Sequence, residues 1–205
     1  MSEWNDGEYY YTCFAIEKSR RYHAKMQAFY DGCYNATRAA TALTGTASFF
    51  VLLAKGTEIA KYLTAVVATS AALDSVFRFN RKARTHEALC RRFTDLSSKI
   101  ASWDPTPTNL KRARVERLKI EKDEPPPRRL IDLQAHNEEL RSRGHLESVM
   151  IPLGWWQRKL GYVSTFGMGR LEQWKANMEA LDELKDAPID DAVLPKSTAA
   201  VTTEA

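Results

Sequence analysis

Two stretches decide how this chain folds: "AATALTGTASFFVLLA" at Ala39–Ala54 and "IAKYLTAVVATSAALDSVF" at Ile59–Phe77. The first carries no charge; the second is charged only at Lys61 and Asp74. A membrane-crossing helix needs about 20 predominantly apolar residues, with about 17 as a lower limit. The first stretch reaches that limit only by drawing in polar residues before Ala39, which gives spans of about 37–54 and 59–77. Lys61 lies one turn inside the second span and can extend toward water. Asp74 sits near its other end, where a charge costs far less than the about 2.5–3.5 kcal/mol of a central one. The other reading is a water-soluble antiparallel hairpin, alanine-rich because its helices pack closely inside a bundle. Length and composition leave both open.

Two further patterns favour lipid. Thr41 and Gly45, Ala65 and Thr69, and Ala68 and Ala72 are pairs of small residues four apart, the spacing that lets helices approach closely in a bilayer. These six are the expected helix-contact residues. The flanks are basic: Lys18, Arg20, Arg21, Lys25 and Arg38 before the hairpin, Arg78, Arg81, Lys82, Arg84, Arg91 and Arg92 after it. The turn offers only Lys55 and Lys61 against Glu58. This asymmetry places both termini in the cytoplasm, with the turn on the far side.

Outward from the hairpin, strand patterns are nearly absent, and long windows rich in Ala, Leu, Arg, Lys and Glu define an all-α chain. Residues 1–16 read as an N-terminal segment. One helix is expected from Glu17 to about Lys55 and a second from about Glu58 to Ser102, broken off by "WDPTPTN". A third starts at Thr108 or Asn109 and runs to Lys122; a fourth spans about Pro127–Arg143 and closes at Gly144. The domain proper is then 17–144. An aromatic, glycine-laced helical segment follows over 145–185, and 186–205 reads as a disordered tail. In "GWWQRKLGYVSTFGMGRLEQW" the tryptophans suit either a membrane-surface layer or a lid on the bundle.

The chain of 205 residues carries a net charge of +4, too small to name nucleic acid as a partner without a supporting pattern. Cys13, Cys33 and Cys90 are far apart and odd in number, which argues against a disulfide framework and against zinc, and they are expected as buried thiols. No metal or cofactor is expected.

"IEKDEPPPRRLIDLQAHNEELRSRG", Ile120–Gly144, is the one stretch that invites a catalytic reading. Glu121, Asp123, Glu124 and His136 are acid–base or ligand types. No nucleophile or phosphate-cradling glycine loop accompanies them, so the expectation is a corner and not an enzyme. Pro125 and Pro126 end one helix, Pro127 suits the first turn of the next, and Asp123 or Glu124 lies at that helix's positive end. Leu130, Leu133, Asn137 and Leu140 share a face, with Asn137 setting register. His23 and His86 each lie beside a basic flank and are expected as structural histidines, not ligands.

"SRRYHAKMQAFYDGCYNATRAATALTGTASFFVLL", "SVFRFNRKARTHEALCRRFTDLSSKI" and the proline corner resemble, in order and spacing, the SLATT family of bacterial two-transmembrane effector domains associated with nucleotide-sensing defence modules. The matching positions include Arg21–His23, Lys82–His86, Leu89, Phe93, Glu121–Pro126 and His136–Glu138, and the resemblance covers about residues 20–144. It implies a bacterial inner-membrane effector that oligomerises with copies of itself and permeabilises the bilayer during phage defence or mobile-element conflict. No sensor or nucleotide-generating domain is legible in the sequence, so the resemblance implies a separate nucleotide-signalling partner. The alternative is a soluble or peripheral helical scaffold.

Overall fold

The computed structural model describes residues 6–54 and 57–164, together with positions 169, 173 and 174. Among them every regular element is helical. Met1–Phe166 form one compact unit, which holds the hairpin and the bundle, and Gly167–Ala205 form a second.

Helix α1 spans Asp6–Leu53, 48 residues without a break. It begins at Asp6 and not at Glu17, so most of residues 1–16 belong to it. The reason is burial: Thr12 and Ile16 face inward, and Tyr9 and Cys13 pack on the core. The cysteines are free and half-buried. Helices α2 (Thr57–Phe77) and α3 (Phe79–Ala101) divide the single helix expected there. The division falls at Arg78, the one non-glycine residue with a left-handed backbone among those described (φ 48°, ψ 51°). Such a conformation costs a bulky residue roughly 1–2 kcal/mol. The stacked rings of Phe77 and Phe79, 5.5 Å apart, flank the bend.

Helix α4 (Pro107–Glu121) is capped by Thr106, whose hydroxyl accepts the Asn109 amide at 3.2 Å, with Pro107 in the first turn. The cap is therefore earlier than the expected Thr108 or Asn109. Helix α5 covers Arg129–Ser142, so Pro125–Pro127 form a connection outside it and not its first turn. Gly144 ends the turn after α5 at φ 78°, as its position in the sequence suggests. The long fifth helix is replaced, in its described part, by a 3₁₀ turn at Glu147–Val149 and a short α6, Trp155–Leu160. Gly161 closes α6 against α5: a Cβ there would fall 2.8 Å from the Cβ of Leu130. Most of 165–185 and all of the expected tail 186–205 lie outside the described residues.

α1 and α2 pair as the antiparallel hairpin, and the pairing is inside-out. On α2 the least exposed positions are Ala60, Leu63, Val67, Ser70 and Asp74; on α1 the matching ones include Thr37, Thr41, Thr44, Ser48 and Val51. Both rows step by three and four, the seam of a left-handed helix pair. The seam is small and hydroxylated. Ser48 Oγ and Asp74 Oδ1 are buried in it without a partner, while Thr41, Thr44 and Thr64 bond back to carbonyls four residues earlier. The large apolar side chains point outward: Leu43, Phe49, Phe50, Leu53, Ile59 and Val76 are all more than half exposed. Thr41 and Gly45 face the seam, Gly45 in reach of Val67. Ala65, Ala68, Thr69 and Ala72 do not: they are exposed on the outer side of α2, so any close contact they make is with something beyond this hairpin.

The bundle half has an ordinary core. Ile16, Leu89, Phe93, Leu96, Ile100, Ala113 and Ile120 form one cluster between α1, α3 and α4. Tyr22, Met26, Tyr30, Ala83, Ile131 and Ala135 form another where α5 closes on α1 and α3. Phe93 is fully buried. Phe93→Ala is expected to cost about 3–5 kcal/mol of bundle stability; a denaturation midpoint unchanged from the parent chain would show that this cluster is not the core.

Candidate functional site

The chemistry-bearing residues of the bundle meet where α1, α3 and the proline corner touch. His23 points from α1 into the space between helices, and His86 meets it from α3; the two Nδ1 atoms are 2.9 Å apart. They are 0% and 4% exposed. Glu124, the last residue before the prolines, reaches His23 Nε2 at 3.2 Å. Ring packing fixes the pair: His23 lies flat on Phe93 at 5.6 Å, His86 flat on Tyr30 at 5.7 Å, and Tyr22 stands edge-on to His23 at 5.1 Å. The Tyr22 hydroxyl in turn accepts the Arg128 amide at 2.9 Å, tying the corner to α1.

The hydrogen-bond pattern assigns the protons. A carboxylate accepts, so His23 Nε2 carries hydrogen toward Glu124, and neutral His23 presents Nδ1 as an acceptor. His86 then donates from Nδ1, leaving its Nε2 a bare lone pair. An added proton on His86 would place a cation in a buried site. Burial, with His23 adding its repulsion, holds the His86 pKa down at about 4. The resting state is one shared proton between the two rings, with Glu124 as the acceptor at one end.

The remaining corner residues scatter. Glu121 pairs with Arg117 at 2.7 Å and Asp123 with Arg92 at 2.6 Å. Glu124 does not serve the α5 terminus, because His23 takes it. Pro125 lies beside His86, and Pro126 is part of the same extended connection. His136 packs edge-on against Phe14 at 5.1 Å, and burial with the nearby Lys18 lowers its pKa. The three acids and His136 therefore do not form one site, and no cluster of three or more metal-ligating side chains occurs among the described residues. Of the expected α5 face, Leu130 and Asn137 are buried while Leu133 and Leu140 are half-buried; Ile131 and Ala135 are the deeper contacts. Asn137 does not set register between helices. Its amide clasps the Ile151 backbone, donating to the carbonyl at 2.7 Å and accepting from the amide at 2.9 Å, and so straps the returning segment to α5.

Glu139 carries no signal in the sequence, where it sits in an ordinary charged helix. It is 3% exposed and holds Arg21 at 2.7 Å and Arg143 at 2.6 Å. Arg143 in turn covers the Tyr10 ring at 4.6 Å. This is a structural clamp between α5 and α1, because both carboxylate oxygens of Glu139 are bonded within it.

Against known proteins the chain stands apart: no family model, curated protein or solved structure matches it.

Proposed function

We propose that this protein is a bilayer-spanning helical hairpin with a cytoplasmic bundle, and that it acts as an effector whose assembled hairpins permeabilise a bacterial inner membrane. The carrying observation is the inverted hairpin. Two helical segments, Gly7–Leu53 and Glu58–Ala101, are long and apolar enough to cross a membrane, yet only 6% of the most apolar window of each is buried. A soluble core helix has the opposite pattern. Each Leu, Ile or Phe left in water forgoes about 1.5–3 kcal/mol, and here they lie on the outside while hydroxyls line the seam. Lipid is the solvent that removes this penalty.

The effector role rests on the resemblance to two-transmembrane defence effectors and on the outward small-residue row of α2, which offers a second hairpin a close approach. Activation by a separate nucleotide-signalling partner belongs to the same reading. A helical scaffold without a span is the rival, and it requires a partner that covers the outward apolar side chains.

Fractionation decides first. The chain is expected in the membrane pellet after an alkaline carbonate wash, and in detergent it is expected as an oligomer. Recovery in the wash supernatant overturns the spanning reading. Loss of membrane potential on expression, read by a potential-sensitive dye, is the expected sign of permeabilisation; full retention by pelleted protein overturns the effector part alone.

A further inference from the structure

The bend at Arg78 makes more than a corner. Arg78 and Lys82 keep the helical bonding pattern across it, Arg78 donating to the Asp74 carbonyl at 2.8 Å and Lys82 to the Arg78 carbonyl at 3.1 Å. Between them, the amides of Phe79, Asn80 and Arg81 receive no carbonyl from α2 among the described residues, and Arg78 gives them no side-chain cap. This is an open helix N-terminus, a position that attracts anions through free N–H groups and the helix dipole. It belongs to a helix of 23 residues.

An open groove of about 340 Å³ begins at this bend. One wall is a single face of the chain at steps of three and four: Arg78, Arg81, Lys82, Thr85 and His86. Its floor is Val76, Phe77 and Tyr30, with no acid among the lining residues. The acids nearest in sequence on α3 are engaged, since Glu87 is held by Arg84 and Arg91, and Arg84 also binds Asp31. Arg78, Arg81 and Lys82 have no acidic partner among the described residues, and the Lys82 ammonium lies over the Tyr30 and Phe77 rings. His86 also lines the groove; it is buried and bonded at Nδ1, and its Nε2 has no partner among the described residues. The groove is thus lined by three unneutralised cations beside free amides, by the apolar Val76 and Phe77 at the end of α2, and by the buried His86.

We infer that the groove at the α2–α3 bend is a binding site for an acidic phospholipid, its phosphodiester held by Arg81, Lys82 and the free α3 amides, a headgroup hydroxyl donating to His86, and its acyl chain following Val76 and Phe77. The geometry matches such a ligand point for point: a monoanionic phosphate for the cations, a hydroxyl for the lone pair, a hydrocarbon chain for the floor. This rests on the spanning reading for its setting, since that reading puts Phe77 and Arg78 at the lipid–water boundary, where basic side chains meet anionic headgroups.

The test uses full-length protein in neutral detergent and phosphatidylglycerol of short acyl chain, kept below its micelle concentration, with binding read by calorimetry. Phosphatidylcholine of the same chain length and inorganic phosphate are the comparison ligands. Phosphatidylglycerol is expected to bind at least tenfold more tightly than either, and Arg81→Gln with Lys82→Gln to weaken it at least tenfold. A charge-matched control on exposed positions elsewhere, Lys99→Gln with Lys111→Gln, is expected to change it less than twofold. Equal affinity for phosphatidylcholine, or an unaffected Arg81/Lys82 variant, overturns the site. Equal affinity for inorganic phosphate overturns the lipid as its occupant. Because the lipid is presented as a monomer, this result is independent of the carbonate wash: a chain that washes off membranes yet selects phosphatidylglycerol loses the span and keeps the site.

Discussion

A chain carrying Val66→Lys together with Thr69→Lys will not enter the membrane fraction. Both positions lie near the middle of α2 and both point outward, Val66 at 44% exposure. At the centre of a span a lysine costs about 2.5–3.5 kcal/mol on the insertion scale, so the pair costs about 5–7 kcal/mol, more than a span with so many Ala, Thr and Ser residues supplies. The same substitutions on a water-exposed helix face would be nearly neutral, within about 0.5 kcal/mol each. Few changes separate the two solvents so sharply, because the folded contacts are the same in both and only the medium differs. Glycosylation-site mapping or carbonate washing reads the outcome; a double variant that pellets and washes like its parent rules out lipid as the solvent of α2.

Acid will loosen the junction of α1, α3 and the corner. His86 has a folded pKa of about 4 against 6.5 for the free side chain. Below pH 6.5 the unfolded chain therefore binds a proton that the folded chain refuses. The stability contributed by neutral His86 is complete above pH 6.5, falls as pH drops, and is gone below about pH 4. The full difference is about 3 kcal/mol, of which about 2 kcal/mol is lost by pH 5. The groups facing His86 do not offset this: His23 from α1 lowers it further, Tyr30 is a stacked ring, Lys82 on α3 is a cation, and Glu124 from the corner is bonded to His23, one ring away. His136, lowered by burial, adds a change of the same sign. Carboxylates with lowered pKa values, such as Glu17, act only at lower pH, so the window from pH 6.5 to 5 belongs to histidine. Denaturation of the detergent-solubilised protein at pH 7.5 and 5 is expected to show the loss, and His86→Gln, less stable at neutral pH, to flatten most of it. A parent chain equally stable at both values refutes the proton assignment.

What could be read from the sequence, and what could not, divides along the range of the interaction. The two long apolar helices were legible, because Ala39–Ala54 and Ile59–Phe77 are apolar runs separated by a short break. So was Gly144, because a left-handed residue after a helix is usually glycine. The bend at Arg78 was not: arginine has no preference for that backbone, and nothing local in the sequence marks it. The histidine pair was hidden for another reason. His23 and His86 are 63 positions apart, and each alone looks like any histidine near a basic flank; only the register of α1 on α3 brings their rings together. Glu124 looked like a helix-terminal charge because α5 seemed to start two residues sooner, at Pro127. The outer placement of Ala65, Ala68, Thr69 and Ala72 was likewise undecidable, since α2 is small on more than one face and spacing alone does not say which face meets α1.

α1 is the one piece of the unit that joins both halves without a joint. At 1.5 Å per residue its 48 residues make a rod about 72 Å long, while the return path through α2 and α3 is articulated at Arg78. A tilt of one degree at the bundle end of such a rod carries its far tip sideways by about 1 Å, and the neighbouring arm need not follow. A small repacking around the two imidazoles would therefore displace the far ends of α1 and α2 most, at Leu53 and Glu58.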